Sequence, residues 1–262
     1  MSLSNSFLLL VVTCIYSHNI ISAFTEPTLN FKYNFEGSTV PRRYDVVTKA
    51  ENRYQLNENQ EGDKNYEKKG RMSSYEIQQK IRNCQDLEEL FQFQHYAERD
   101  SFYISLIWNK VLDLMYKISE CQKIQKNPEL LQTIVYITLN SSGRLNHPTS
   151  LSIMTKAVSR ISLLTKIPII ESTKLWQLLE RNILKATENE VFHQRSCATI
   201  LRSFARMGQQ SDQLFSIMES QVLSNIDKLN SVEITNILWA YSKIGYSSPK
   251  LFDALSNKAM GK

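Results

Sequence analysis

The sequence predicts an all-α protein, a solenoid of α-α hairpin repeats with an irregular helical cap at its amino-terminal side. Three observations predict it. Residues 196–225 lie without a gap on residues 233–262 at a spacing of 37, with Ile200/Ile237, Leu201/Leu238, Gly208/Gly245, Ser211/Ser248, Leu214/Leu251 and Phe215/Phe252 identical. A phrase of one form, Ser172-Thr-Lys-Leu175-Trp176, Ser211-Asp-Gln-Leu214-Phe215 and Ser248-Pro-Lys-Leu251-Phe252, opens a helix in three places. Seven glycines, six prolines and no alternating strand-like runs are found among 262 residues, 42% of them hydrophobic. A hairpin this small cannot bury its own apolar face, so each must stack on its neighbours.

The chain begins in different material. Phe7 to Tyr16 is an apolar run of about signal-peptide length, with Ser22-Ala23 as a small-residue cleavage point, so 1–23 is expected to be a secretory-type targeting segment. A membrane anchor or a buried helix is the other reading of that run, which is short for a transmembrane span. Residues 24–72 carry nine basic and eight acidic side chains and few aliphatics. Too little apolar surface is present there to offset the entropy of ordering, so a disordered leader or linker is expected.

Residues 73–143 are expected to form the N-terminal helical region. Ser73 and Glu76 can make a capping box ahead of Ile77, Ile81, Cys84, Leu87, Leu90 and Phe91. A second helix, 102–118, has Ile104, Ile107, Trp108, Val111, Leu114, Met115 and Ile118 on one side. Asn127-Pro128-Glu129 starts a third, with Leu130, Leu131, Ile134, Tyr136 and Ile137, ending near Gly143.

Residues 144–262 hold about three hairpins, the last short. In the two clear copies the first helix is marked by Cys197, Ile200, Leu201, Phe204, Met207 and by Ile234, Ile237, Leu238, Tyr241, Ile244, one buried face each. Gly208 and Gly245 stand where a left-handed residue closes a helix, and Ser211 and Ser248 where a side chain caps the next. Asn230 with Glu233 can form a further capping box. An earlier, degenerate copy runs through Leu151, Met154, Val158 and Ile161, with Ser162 aligned to Gly208, Thr155 in a leucine position and seven extra residues before its second helix.

Asn236-Ile-Leu-Trp-Ala-Tyr-Ser-Lys-Ile-Gly245, followed by Leu251-Phe252, resembles the helical repeat of the RAP-domain and FAST-kinase-like proteins, also described as heptatricopeptide or octotricopeptide repeat proteins. Ile81-Arg-Asn-Cys-Gln-Asp-Leu87-Glu-Glu-Leu90 is similar to the segment that opens many of them. The resemblance implies single-stranded RNA binding inside an organelle. Members often end in a small RAP domain likened to a nuclease fold; no such stretch occurs up to Lys262, so either the chain continues or this member binds without a catalytic appendage.

The charge distribution agrees in direction. The net charge is +5, but 73–142 carries seven basic and nine acidic residues whereas 143–262 carries fifteen basic and nine acidic. On one helix Arg195, Thr199, Arg202 and Arg206 fall within about 60° of one another, away from the apolar stripe. Their equivalents one unit later are Val232, Asn236, Trp239 and Lys243, and Arg160 matches Arg206 one unit earlier. Stacking would align Arg160, Arg206 and Lys243, a spacing suited to a phosphate backbone. For any single residue a solvated charged face is the competing reading; the recurrence of a basic residue at one repeat position favours RNA. Trp239 is expected between adjacent units, with base stacking as its alternative.

Three cysteines beyond the targeting segment, Cys84, Cys121 and Cys197, are odd in number and widely spaced, which is no disulfide framework. Asn140-Ser-Ser is a formal glycosylation sequon of a kind that arises often by chance. His95, His147 and His193 lack metal-ligand spacing, and neither a phosphate loop nor a nucleophile elbow occurs, so no enzyme activity, metal or cofactor is expected. The expectation is therefore an organellar RNA-binding repeat protein acting in RNA processing, stability or translation, in a plastid reached through a secretory-type leader or in a mitochondrion. Its partners would be organellar transcripts and other RNA-processing or ribosomal proteins, with a membrane met only during targeting. A protein-interaction scaffold of the same fold is the rival, and a secreted protein the alternative destination.

Overall fold

The computed structural model describes residues 72–260 except 98–99, 142–144, 167–168 and 170–171. The targeting segment expected at 1–23 and, apart from Met72, the leader expected at 24–72 lie outside the described residues. All regular structure among the described residues is helical: α1 (Ser74–Asn83), α2 (Leu87–Phe91), α3 (Gln94–Ala97), α4 (Ser101–Met115), α5 (Ile118–Lys126), α6 (Glu129–Asn140), α7 (Pro148–Thr165), α8 (Ser172–Asn189), α9 (Gln194–Arg206), α10 (Asp212–Ser224), a 3-10 turn (Ile226–Lys228), α11 (Ser231–Ile244) and α12 (Pro249–Ala259).

The helices stack in two layers. In one, α4 packs on α7, α7 on α9 and α9 on α11; in the other, α6 packs on α8, α8 on α10 and α10 on α12. Each repeat supplies one helix to each layer through the hairpins α7/α8, α9/α10 and α11/α12. The pair α4 and α6 extends both layers into the N-terminal region, with α5 inserted between them and α1, α2 and α3 packed on α4 or α6.

Local chemistry sets most boundaries where the sequence places them. The Ser73 hydroxyl accepts from Glu76 N at 3.2 Å while the Glu76 carboxylate accepts from Ser73 N at 2.8 Å, and Asn230 with Glu233 makes the same box at 2.9 and 3.0 Å. Gly208 and Gly245 have φ of +66° and +77°, and the next residue in each case donates five residues back, Gln209 N to Phe204 O at 3.0 Å and Tyr246 N to Tyr241 O at 3.1 Å. Both helices thus close by the six-to-one bond that a left-handed residue permits.

Four expectations are corrected. The helix expected to run from Ser73 through Phe91 stops at Asn83, because Asp86 caps a new one, its side chain accepting from Glu89 N at 2.9 Å. The helix expected over 102–118 ends at Met115; Lys117 N donates to Leu114 O at 2.8 Å, the chain turns, and Ile118 opens α5 with 76% of its surface exposed rather than buried. Tyr136 is 67% exposed, since the buried face of α6 is Leu131, Ile134, Val135 and Thr138, on whose far side position 136 falls. In the degenerate repeat the closing residue is not Ser162: α7 continues to Thr165, and Lys166 takes the left-handed conformation at φ +55°. Part of the insertion is therefore another turn of helix. Thr155, in its leucine position, is buried nonetheless and donates to Leu151 O at 2.6 Å.

The seams between units repeat as the units do. Trp176 of α8 meets Phe204 of α9 edge-on at 4.9 Å, and Phe215 of α10 meets Tyr241 of α11 in the same way at 5.2 Å. The Tyr241 hydroxyl donates to Phe215 O at 2.7 Å, so a buried phenol is satisfied. Ser248 accepts from Leu251 N at 3.3 Å as the cap of α12 and donates to Glu219 of α10 at 2.6 Å. Ser211 caps α10 likewise and donates to Glu180 of α8.

Candidate nucleic-acid interface

The site is built on α7, α9 and α11, successive members of one layer. Its central helix, α9, begins where the His193 ring accepts from Arg195 N at 3.3 Å, a cap the residue pattern did not announce. Cys197, Ala198, Ile200, Leu201, Phe204 and Ala205 face the core and are buried. Left outward is one stripe at helical spacing: Arg195 exposed, then Thr199, Arg202 and Arg206 half-buried. The half-burial follows from position, because α9 lies between α7 and α11 in the layer and the neighbours shoulder its outward face.

Arg160 of α7 joins that stripe. Burial lowers the pKa of Arg202, and the Arg160 charge lowers it further. Arg206 is brought down to about 10, first by burial and then by the charges of Arg202 and Arg160. The three guanidiniums are thus close enough to repel one another, and no carboxylate among the described residues forms an ion pair with Arg160 or Arg206. Arg206 remains protonated at neutral pH, so with its neighbours the fold holds a concentrated, partly desolvated positive charge.

Arg202 also reaches into the next unit. Its Nη1 donates to the Asn236 side-chain oxygen, and its guanidinium lies over the Trp239 ring, 5.7 Å from the centroid. Trp239 is accordingly neither wholly buried between units nor free: it is half-buried, packs against the core and turns a face to Arg202. Lys243 is exposed on the same side of α11, one turn beyond Trp239, and Arg195 is exposed at the start of α9. Of the predicted row, Arg160 and Arg206 come together with Arg202, while Lys243 stands at the margin.

Lys156 was missed. It is exposed on α7 four residues before Arg160, and the offset that relates Arg160 to Arg206 relates it to Arg202.

Residues 158–261 match a protein family described as RNA-editing substrate-binding complex 6 protein. The matched stretch holds every candidate residue from Arg160 to Lys243 and less than half of the chain. No curated protein matches the chain. The family's name describes its own members as parts of a complex that binds substrates of RNA editing. The positive stripe and an RNA-related family match therefore fall on the same helices.

Proposed function

We propose that this chain binds single-stranded RNA along the outward stripe of α7, α9 and α11, and that it does so without chemistry of its own, as part of an organellar assembly for RNA processing, stability or translation. One observation carries the reading: Arg160, Arg202 and Arg206, from two different repeats, are gathered beside a tryptophan face, and no carboxylate among the described residues is paired to Arg160 or Arg206. Holding like charges together in partly dehydrated surroundings costs stability, and an anionic strand offsets that cost by neutralising them. Uncharged Asn236 and Trp239 suit the bases of such a strand, by hydrogen bonding and by stacking.

The family match supports an RNA-processing complex as the setting. The narrower kinship with RAP-domain and FAST-kinase-like proteins rests on the motif from Asn236 to Gly245. Delivery to a plastid by a secretory-type leader, or to a mitochondrion, rests on the composition of the first 72 residues.

A protein scaffold is the second reading. The family's description as part of a complex favours it. Titrating the full chain against mixed single-stranded RNA at low and moderate salt separates the two, beside a variant with Arg160, Arg206 and Lys243 all changed to alanine. Salt-sensitive binding that is largely lost in a still-helical variant supports RNA; no binding by the wild type at low salt leaves the scaffold.

A further inference from the structure

Arg202 fixes which way round the Asn236 amide stands. A guanidinium carries donors and no acceptor, so the atom of the amide that meets it is the oxygen. The amide nitrogen, with two hydrogens, therefore points away from Arg202. It makes no hydrogen bond to any of the described residues and is not buried among them. Asn236 is half-buried on the outward side of α11, so what its side chain offers there is a donor.

Three residues on, along the same face of α11, stands Trp239, with the Arg202 guanidinium 5.7 Å from its ring centroid. Indole and guanidinium are both flat surfaces on which unpaired bases stack. A base laid against that pair has the Asn236 amide at its edge. The equivalent position one unit earlier is Thr199, whose hydroxyl both donates and accepts and so makes no choice. In the α7 unit it is Ile153, which has no polar atom to read with. A side chain that can only donate at its open end favours an acceptor. Uracil and guanine carry an exocyclic carbonyl oxygen where cytosine and adenine carry an amino group, and two facing donors repel.

We propose that Asn236, oriented by Arg202, selects a base with an exocyclic carbonyl, uracil or guanine, at the α11 step of the stripe, and that Arg202 is the positioning residue for that choice. This rests on the RNA reading above and deepens it, from any single strand to one with a keto base at this position.

The test uses the full chain and three fluorescein-labelled strands of about 12 nucleotides, a length within the usual range of single-strand sites: oligouridylate, oligocytidylate and an abasic strand. Uracil and cytosine have the same ring size, so the comparison isolates the edge. The wild type is expected to bind oligouridylate about three- to tenfold more tightly than oligocytidylate, the worth of one hydrogen bond. Asn236→Ala should bind those two alike, and the abasic strand as the wild type does. Asn236→Asp presents an acceptor, which suits the cytosine amino group, and should reverse the preference. Arg202→Met should weaken all three strands and, by letting the amide turn, abolish the preference as well. An arginine that only bound phosphate would lower the affinities and leave their ratio intact, and that result removes its positioning role. Equal, salt-sensitive binding of oligouridylate and oligocytidylate by the wild type overturns the selection and leaves the RNA reading standing. A preference that survives in Asn236→Ala, or an Asn236→Asp variant that still favours oligouridylate, overturns it too. A wild type that binds no strand at low salt removes both proposals and makes a protein the better partner for this face. Alanine suits a helix better than asparagine does, so Asn236→Ala remains folded, which its circular dichroism checks.

Discussion

Arg206 is held in surroundings that disfavour its charge, and the sign of that effect can be checked. Burial and two neighbouring arginines lower its pKa to about 10, so the folded chain bears a cost that is complete below pH 10 and fades as pH rises from there towards the unfolded value. Arg206→Met is therefore expected to stabilise the protein at pH 7 by about 0.5–2 kcal/mol in chemical denaturation while weakening RNA binding about tenfold. The gain should shrink above pH 10. A destabilised variant would mean that the arginine stem packs better than its charge costs. Two backbone positions give a second pair of opposite signs. Gly245 has φ of +77° and no atom within 4 Å of an added β-carbon, so Gly245→Ala should cost about 1 kcal/mol through backbone strain alone. Lys166 already bears that strain at φ +55°, so Lys166→Gly should gain up to about 1 kcal/mol.

Between elements, the serine caps join two roles that usually lie apart. Ser248 caps α12 and donates to Glu219 of the preceding unit, and Ser211 relates to Glu180 in the same way. Ser248→Ala should cost about 1–2 kcal/mol, more than an isolated cap, because Glu219 loses its donor as well. A double-mutant cycle with Glu219→Ala should show a coupling of at least about 0.5 kcal/mol by thermal or urea unfolding; additive effects would reduce the contact to a bystander. The serines were legible as caps because the helix start needs an acceptor three residues before a backbone N–H. Their glutamates were written at equal places too, eight residues after Ser172 and after Ser211, but only stacking shows that each meets the next serine. The end of α4 was not legible. Ile118 continues the apolar spacing of 102–115, and periodicity has no term for a chain that turns at Lys117.

For the whole molecule, a stack in which each hairpin touches its neighbours should fail locally. Leu255 is fully buried in the last hairpin, and Leu255→Ala should cost about 2–5 kcal/mol. Hydrogen exchange should then show lost protection in α11 and α12 with α4 and α7 little changed, as nearest-neighbour coupling requires. Uniform loss across all helices would indicate one cooperative core instead. The stack also fixes how many cations face a strand. With three or four phosphates neutralised, the logarithm of the RNA association constant should fall with the logarithm of salt at a slope of about −2 to −3. A slope near zero would leave the arginines out of the contact.

By itself the sequence determined the helices and stripes of the two clear repeats, the left-handed glycines and the serine caps, because each depends on residues within a turn or two of one another. It also placed Arg195, Thr199, Arg202 and Arg206 on one side of α9, which helical spacing dictates. What only the tertiary structure decided is the state of those side chains. Packing of α7 and α11 against α9 half-buries Arg202 and Arg206, hands Arg202 to Asn236 and Trp239, and brings Arg160 up to the same cluster. Desolvation and charge coupling fall off over a few ångströms in space, and residues 160, 206 and 239 are drawn around Arg202 only when the helices that carry them are stacked.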